Sequence, residues 1–151
     1  MTTRWLLAFV HLLALPIGLS AVGARSRALK AAARGESLKP VFVADTWWGI
    51  AALIWISTGL VRYLGGTEKP TDYYNNNWIF IAKMGMLALI LLLELWPMIT
   101  LVRWRINAKK QVSFDTTPAR AMATISDIQA ILVFLMIAAA AAMARGIGIP
   151  R

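Results

Sequence analysis

Two charged residues, Lys83 and Glu94, lie inside one long apolar run of the sequence, NWIFIAKMGMLALILLLELWPM. An ionised side chain inside a lipid bilayer costs several kcal/mol, so such residues face a cavity, a partner or the interior of a helix bundle. The two are eleven residues apart, which returns them to one face of a helix at a separation of about 16 Å. They cannot pair with each other, so each requires a partner elsewhere.

The other ionisable residues of the apolar blocks fall into two groups by depth. His11 lies six residues, and Lys83 five, from the tryptophan that opens its block, which places both about 8–9 Å from one membrane surface. Arg62 leaves its own block on that same side. We therefore predict a basic layer in one half of the membrane and an acidic layer in the other. The acidic layer consists of Asp45, Glu94 and Asp127.

The basic layer could lie at a pocket. The neutral imidazole of His11 could bind a metal ion, and Lys83 could face an anion. Trp48 and Trp55 are seven residues apart on one predicted helix face and could form the flat wall of a pocket. Simpler interpretations stay open, because an arginine can snorkel to the headgroups, tryptophans can serve only in packing, and a lone histidine can be structural.

The acidic layer requires neutralisation. For Glu94 the sequence offers three arginines near the same boundary, Arg25, Arg27 and Arg103, or protons shared among the carboxylates. The other two acids could instead form ordinary ion pairs close to helix ends. For Lys83 the depth-matched candidates are a neutral histidine, an anion and a water-filled pocket.

Four apolar blocks are long enough to position these residues across a membrane. About 20 apolar residues span the hydrocarbon core, and lipid offers no partner for unpaired backbone groups, so each block should be a helix. Of the 151 residues, 59% are hydrophobic, more than a soluble domain of this length requires. We predict one all-α domain, an antiparallel four-helix bundle integral to the membrane. The predicted spans are residues 5–24, 41–64, 78–101 and 122–143.

The net charge of +9 comes mostly from two basic loops, residues 25–40 and 103–120. The middle loop holds Lys69 against Glu68 and Asp72. Basic loops stay in the cytoplasm, so both termini should face the periplasm of a bacterial inner membrane, and we expect no nucleic-acid partner. The basic residues directly after the first block also favour an uncleaved helix over a signal peptide.

Several kinds of chemistry are absent from the sequence. It contains no cysteine, which excludes disulfides, thiolate metal sites and thioether-attached haem. It also has no phosphate-binding loop, no paired nucleophile and base, and no clustered metal ligands at helical spacing. We therefore assign no enzymatic activity from the sequence.

Three segments resemble a family of small four-helix bacterial inner-membrane proteins of unknown function: WLLAFVHLLAL, DTWWGIAALIWISTGLVRYLGG and YYNNNWIFIAKMGMLAL. More distantly, the histidine of the first and the W…K opening of the third predicted helix are similar to the HemJ-type protoporphyrinogen oxidase, which binds haem b. CopD-like copper-resistance proteins have a similar layout. The HemJ resemblance implies His11 as an axial haem ligand and Lys83 as a partner of tetrapyrrole carboxylates. With one histidine in the chain, the second ligand would come from another chain or from Met84, Met86 or Met143.

Two principal hypotheses follow. In the first, the protein binds haem b or another tetrapyrrole in a redox-associated role. In the second, it is a non-catalytic accessory subunit that packs against a larger respiratory or photosynthetic membrane complex, as its alanine-rich faces and small outer loop suggest. Proton or anion transport is a third, although four helices without a repeat or a broken helix give it little support. In the first hypothesis, the cofactor-binding residues are His11, Lys83, Arg62, Trp48 and Trp55.

Overall fold

All regular structure that the computed structural model describes, in residues 2–65 and 71–148, is helical. This confirms the predicted all-α class. Lys69 and Glu68, which the sequence places in the middle loop, lie outside the described residues. The helices are α1 (Thr2–Ala32), α2 (Lys39–Leu64), α3 (Thr71–Asn75), α4 (Trp78–Lys109) and α5 (Ala119–Ala144).

Four of these helices are long and apolar enough to cross a membrane, as the sequence predicts. All four extend beyond their predicted spans, α1 and α4 the furthest, to Ala32 and Lys109. The extensions are rich in alanine, leucine, lysine and arginine, which have high helix propensity and continue a helix into water. The predicted middle loop contains the short helix α3.

Large apolar side chains lie on the outer surface of the long helices. Leu53 is 71% exposed, Leu92 66% and Phe134 62%. Apolar residues at this density on all sides leave an extensive surface that water would not solvate favourably. The outward faces of the helices are therefore suited to lipid.

The long helices differ in how closely they pack. Helix α1 packs along both α2 and α5, and α4 packs on α5. At the α1–α2 contact, a Cβ on Gly18 would lie 3.4 Å from the Cβ of Ala51, so small residues permit this close approach. Helices α2 and α4, by contrast, meet through long side chains, among them Tyr63 and Phe80.

Two clusters of buried apolar residues fill the interior. One includes Leu29, Leu101 and Met122 and lies where α1, α4 and α5 leave their apolar spans. The other includes Val22 and Val133 and lies nearer the middle of the bundle. Polar side chains occupy the space between and beyond these clusters.

The start of α4 is tied to the turn that follows α5. The side chain of Asn77 accepts hydrogen bonds from the backbone N–H groups of Ile79 and Phe80, at 3.0 and 3.3 Å, and so caps the helix. Its amide nitrogen donates to the carbonyl of Ile147 at 3.3 Å. The N–H of Trp78 donates to the carbonyl of Gly148 at 3.2 Å. Two helix ends are thereby joined by backbone and amide groups.

Replacing Gly148 by alanine should break this junction. Gly148 has φ +99°, and a Cβ there would collide with the Asn77 side chain and lie 2.8 Å from Cγ1 of Ile79. Gly146 is the matched control, because its φ is +78° but nothing lies within 4 Å of its Cβ position. We expect Gly146→Ala to cost about 1–2 kcal/mol from backbone strain alone and Gly148→Ala to cost more. Thermal unfolding in detergent compares the two, and equal losses would contradict the proposed collision.

Candidate functional site: a polar cluster and a cavity

The most highly connected polar residue is Arg25, which is fully buried. Its Nε donates to the hydroxyl of Ser126 at 3.1 Å. Its Nη1 donates to Asp45 and Glu94 at 3.0 and 2.7 Å, and its Nη2 donates to Glu94 and Gln129 at 2.8 and 2.7 Å. A guanidinium carries five N–H donors, so every donor of Arg25 has an acceptor.

Glu94 is the main acceptor of this cluster. Its two oxygens form a bidentate pair with the guanidinium of Arg25. Its Oε2 also accepts from the indole Nε1 of Trp48 at 3.0 Å and from the amide Nε2 of Gln129 at 2.8 Å. Glu94 thus has partners on α1, α2 and α5, as expected of a charge that requires a partner on another helix.

A second arginine completes the cluster from α4. The Nη2 of Arg105 donates to Asp45 at 2.8 Å, to the carbonyl of Phe42 at 2.7 Å and to the hydroxyl of Thr46 at 3.0 Å. Asp45 therefore bridges Arg105 and Arg25 through its two oxygens. We call this set the charge cluster: Arg25, Arg105, Asp45 and Glu94, with Ser126, Gln129 and Trp48.

The charge cluster is electrically balanced, with two arginines and two carboxylates. Opposite charges with saturated hydrogen bonds are the condition under which ions remain ionised in a low-dielectric interior. Of the partners that the sequence offers for Glu94, the structure selects Arg25. Nothing in the cluster requires the acids to share a proton.

Asp127 does not belong to the charge cluster, although the sequence places it in the same acidic layer. Its side chain is 46% exposed and pairs with Lys30 at 2.7 Å. Its other oxygen accepts from the hydroxyl of Ser26. Asp127 lies on a different face of α5 from Ser126 and Gln129, which accept hydrogen bonds from Arg25 in the charge cluster.

Replacing Arg25 by lysine should destabilise the bundle while keeping the charge of the loop. An ammonium has three donors and cannot form the bidentate pair or reach five acceptors. We expect a loss of about 1–3 kcal/mol, the cost of leaving buried acceptors without a donor. Arg27→Lys is the control, since Arg27 is exposed two residues away. Unfolding midpoints in detergent measure both, and similar values would show that the cluster contributes little.

The other half of the bundle contains a cavity of about 720 Å³. All four long helices and α3 contribute to its lining, so it occupies the interior of the bundle. It lies beside the N-terminal halves of α1 and α4 and the C-terminal halves of α2 and α5. Of the predicted cofactor-binding residues, the structure brings four to its wall: His11, Trp55, Arg62 and Lys83.

Two strong bases line the cavity. Lys83 is half-buried and forms no hydrogen bond or ion pair with any residue that the structure describes. The positive charge of Arg62 acts on it directly. Among the described residues that line the cavity, none is acidic. No described carboxylate at the cavity wall therefore balances the charge of Lys83.

His11 is held in place by a hydrogen bond with Thr58 on α2. The hydroxyl of Thr58 donates to the carbonyl of Ile54 at 2.6 Å and has only one hydrogen to give. A proton on Nδ1 of His11, which lies 2.9 Å from this hydroxyl, would satisfy both contacts, and the imidazole lone pair would then be on Nε2. Gly59 makes room for the ring, because a Cβ there would lie 3.1 Å from Cε1 of His11.

Aromatic side chains form much of the remaining wall. Tyr63 stacks on Phe80 with ring centroids 5.5 Å apart, and Tyr74 contacts both rings. The hydroxyl of Tyr73 donates to the carbonyl of Met143 at 3.3 Å. These contacts place α3 across the end of the cavity. The predicted loop thus supplies two lining residues that sequence reasoning missed.

Trp48 does not line the cavity, although the sequence pairs it with Trp55 as a pocket wall. It is only 4% exposed and donates to Glu94 in the charge cluster. Of the methionines considered as second ligands, Met84 and Met143 line the cavity, whereas Met86 packs on the apolar core. Met136, which the sequence did not single out, also lines it. No group of three histidine, cysteine or acidic residues that could hold a metal ion occurs among the described residues.

Comparison with known proteins identifies the family. The model of the family described as "Predicted membrane protein (DUF2214)" matches residues 3–148. The chain belongs to this family. This supports the resemblance, found in the sequence, to a family of uncharacterised membrane proteins, and the four long apolar helices make this chain a multi-pass member. No curated protein and no solved structure matches this DUF2214 chain, so the comparisons give no support to the resemblance to HemJ-type or CopD-like proteins.

Proposed function

We propose that the protein binds an amphipathic organic anion in the cavity, within the membrane. Tetrapyrrole carboxylates, with haem b as the first candidate, are the members of this class that the lining suits best. The observation that carries the proposal is Lys83, a half-buried ammonium at a cavity wall without an anionic partner among the described residues.

The electrostatics of the cavity favour an anion. A cation in a low-dielectric interior is stabilised by any negative charge that approaches it, since the interaction is weakly screened there. Lys83 and Arg62 lie at the same cavity and repel one another. A carboxylate beside Lys83 would offset that repulsion and accept charge-assisted hydrogen bonds from the ammonium.

The size and walls of the cavity favour a ring-shaped apolar body. Its volume of about 720 Å³ falls within the range of pockets that hold drug-sized ligands. Trp55, Phe80 and the tyrosines of α2 and α3 offer flat faces, and leucines fill the intervening wall. A molecule with an apolar ring and acidic side groups matches both parts of this lining.

The donor set at the wall is compatible with haem. One ring nitrogen of His11 is hydrogen-bonded to a neighbouring oxygen, and metal-binding histidines usually have such a partner on the ring nitrogen that does not bind the metal. The thioethers of Met84, Met136 and Met143 lie at the same cavity, and histidine with methionine is a known haem ligand pair. Bound haem would supply one-electron redox chemistry. The chain's own residues would orient the ring, hold its carboxylates and exclude water.

The ligand is tested by adding hemin and metal-free protoporphyrin IX separately to the purified protein in detergent. Lys83→Gln should weaken both at least tenfold, because both ligands carry the same carboxylates. His11→Ala should weaken hemin much more than protoporphyrin, because only hemin offers a metal. Absorption titrations give both dissociation constants. Lys110→Gln, an exposed lysine distant from the cavity, is the control.

Three results would overturn parts of the proposal. If neither tetrapyrrole bound, but a long-chain fatty acid bound and lost affinity in Lys83→Gln, the tetrapyrrole assignment would be refuted and the anion site would stand. If His11→Ala weakened the binding of hemin and protoporphyrin equally, the proposed contact of His11 with the metal would be refuted. If Lys83→Gln left the affinity of every anionic ligand unchanged, the anion site itself would be refuted.

The contacts support an antiparallel bundle, which we include in the proposal. Helices α1 and α2 meet in reversed order along the chain, His11 with Thr58 and Arg25 with Asp45. The basic loops lie at the end of the bundle nearer the charge cluster. By the positive-inside rule the cavity would then lie in the periplasmic half of a bacterial inner membrane. The corresponding pairs of α4 and α5 are Ile90 with Gln129 and Trp78 with Gly148.

This orientation predicts that a reporter fused after Arg151 lies in the periplasm. Alkaline phosphatase at that position should be active, and a fusion after Lys110, in the second basic loop, should be inactive. Phosphatase activity normalised to expression is the measurement. The opposite pattern would invert the topology and place the cavity in the cytoplasmic half, without affecting the anion site.

A further inference from the structure

A second groove lies at the charge-cluster end of the molecule, between the start of α2 and the last turns of α4. Its volume is about 340 Å³, and it is lined by Phe42, Arg105, Ala108 and Lys109. It is separate from the large cavity, with which it shares no lining residue. Two of its four described lining residues are cations, and none is acidic.

Arg105 is anchored by one of its nitrogens only. Its three hydrogen bonds, to Phe42, Thr46 and Asp45, all come from Nη2. Within the described part of the chain, neither Nε nor Nη1 of this residue donates a hydrogen bond, and the side chain is 34% exposed. Its guanidinium also lies over the ring of Phe42, 5.3 Å from the centroid. The guanidinium is therefore held in place by Nη2, and its Nε and Nη1 remain to donate to a ligand.

Lys109 is a second cation, placed so that one ligand could contact both it and Arg105. It follows Arg105 by four residues on α4, so the two side chains lie on one face of the helix, one turn apart. Lys109 is exposed and forms no ion pair with the residues that the structure describes. On such a face, the arginine offers paired N–H donors and the lysine offers a compact positive charge. This combination suits a phosphate.

The same face of α4 also offers an apolar surface beside the cations. Val102 is 51% exposed and Ile106 47%, and both lie within one turn of Arg105 on the outward surface. The groove thus sits where the apolar span of α4 passes into its basic end. Polar headgroups meet acyl chains at this depth, and basic pockets between membrane helices are known to hold anionic headgroups.

We propose that this groove binds the phosphate of an anionic phospholipid, with Nε and Nη1 of Arg105 and the ammonium of Lys109 as donors and an acyl chain along Val102 and Ile106. The proposal does not depend on what occupies the large cavity. A free phosphate could satisfy the same donors, but it would make no use of the apolar surface, so the two sources are distinguishable.

Native mass spectrometry of the detergent-solubilised protein with added lipid tests the groove. We expect phosphatidylglycerol to bind at least tenfold more tightly than phosphatidylcholine of the same chain length. Lys109→Gln should weaken phosphatidylglycerol roughly fivefold, the effect of one basic residue at an anionic surface. Arg103→Gln is the matched control, because Arg103 is an exposed cation of the same helix outside the groove.

Each alternative result decides against the proposal or part of it. Equal binding of the two lipids, or equal losses from Lys109→Gln and Arg103→Gln, would show that only general surface charge attracts lipid. If 10-fold molar excess of inorganic phosphate over phosphatidylglycerol displaced the lipid completely, the groove would be a site for soluble phosphate. Lys109 is exposed, so its replacement should leave the unfolding midpoint unchanged, and a lowered midpoint would contradict the proposed role.

Discussion

The ionic contact of Arg25 with Glu94 is the interaction on which the arrangement of the four long helices depends. It joins α1 to α4, which otherwise has its close packing with α5. The remaining donors of Arg25 reach α2 and α5. In lipid, helices gain little from burying apolar surface against one another, so hydrogen bonds and close packing decide which faces meet. One side chain thereby specifies the mutual rotation of all four helices.

The cavity follows from the same arrangement. Close packing holds α1 against α2 and α5, and long polar side chains hold α4 at the charge cluster. Toward the other end α4 and α2 meet through aromatic rings, and the space between the helices is left to the cavity. The charge cluster holds the helices together at one end, and aromatic rings separate α2 from α4 at the other. The interior therefore stays open although the helices are continuous.

Much of this arrangement can be read from the sequence, because membranes constrain helices strongly. Helix existence follows from apolar length, and the grouping of His11, Arg62 and Lys83 follows from depth along the helices. What depth cannot supply is rotation about the helix axis. The sequence places Trp48 at the pocket wall and Asp127 in the acidic layer, whereas the structure gives both residues other neighbours, since their faces depend on how neighbouring helices pack. Neutral Gln129 gave no signal at all, because an uncharged amide in an apolar block is not costly enough to demand explanation.

Side-chain contact between α2 and α4 has an evolutionary consequence. Where two backbones touch, a substitution must preserve small residues, as at Gly18 and Ala51. Where only side chains meet, as at Tyr63 and Phe80, a larger or smaller residue changes the cavity and leaves the helix axes in place. Related chains can therefore acquire cavities of different shape on an unchanged frame, and diversity among them should concentrate on these two helix faces.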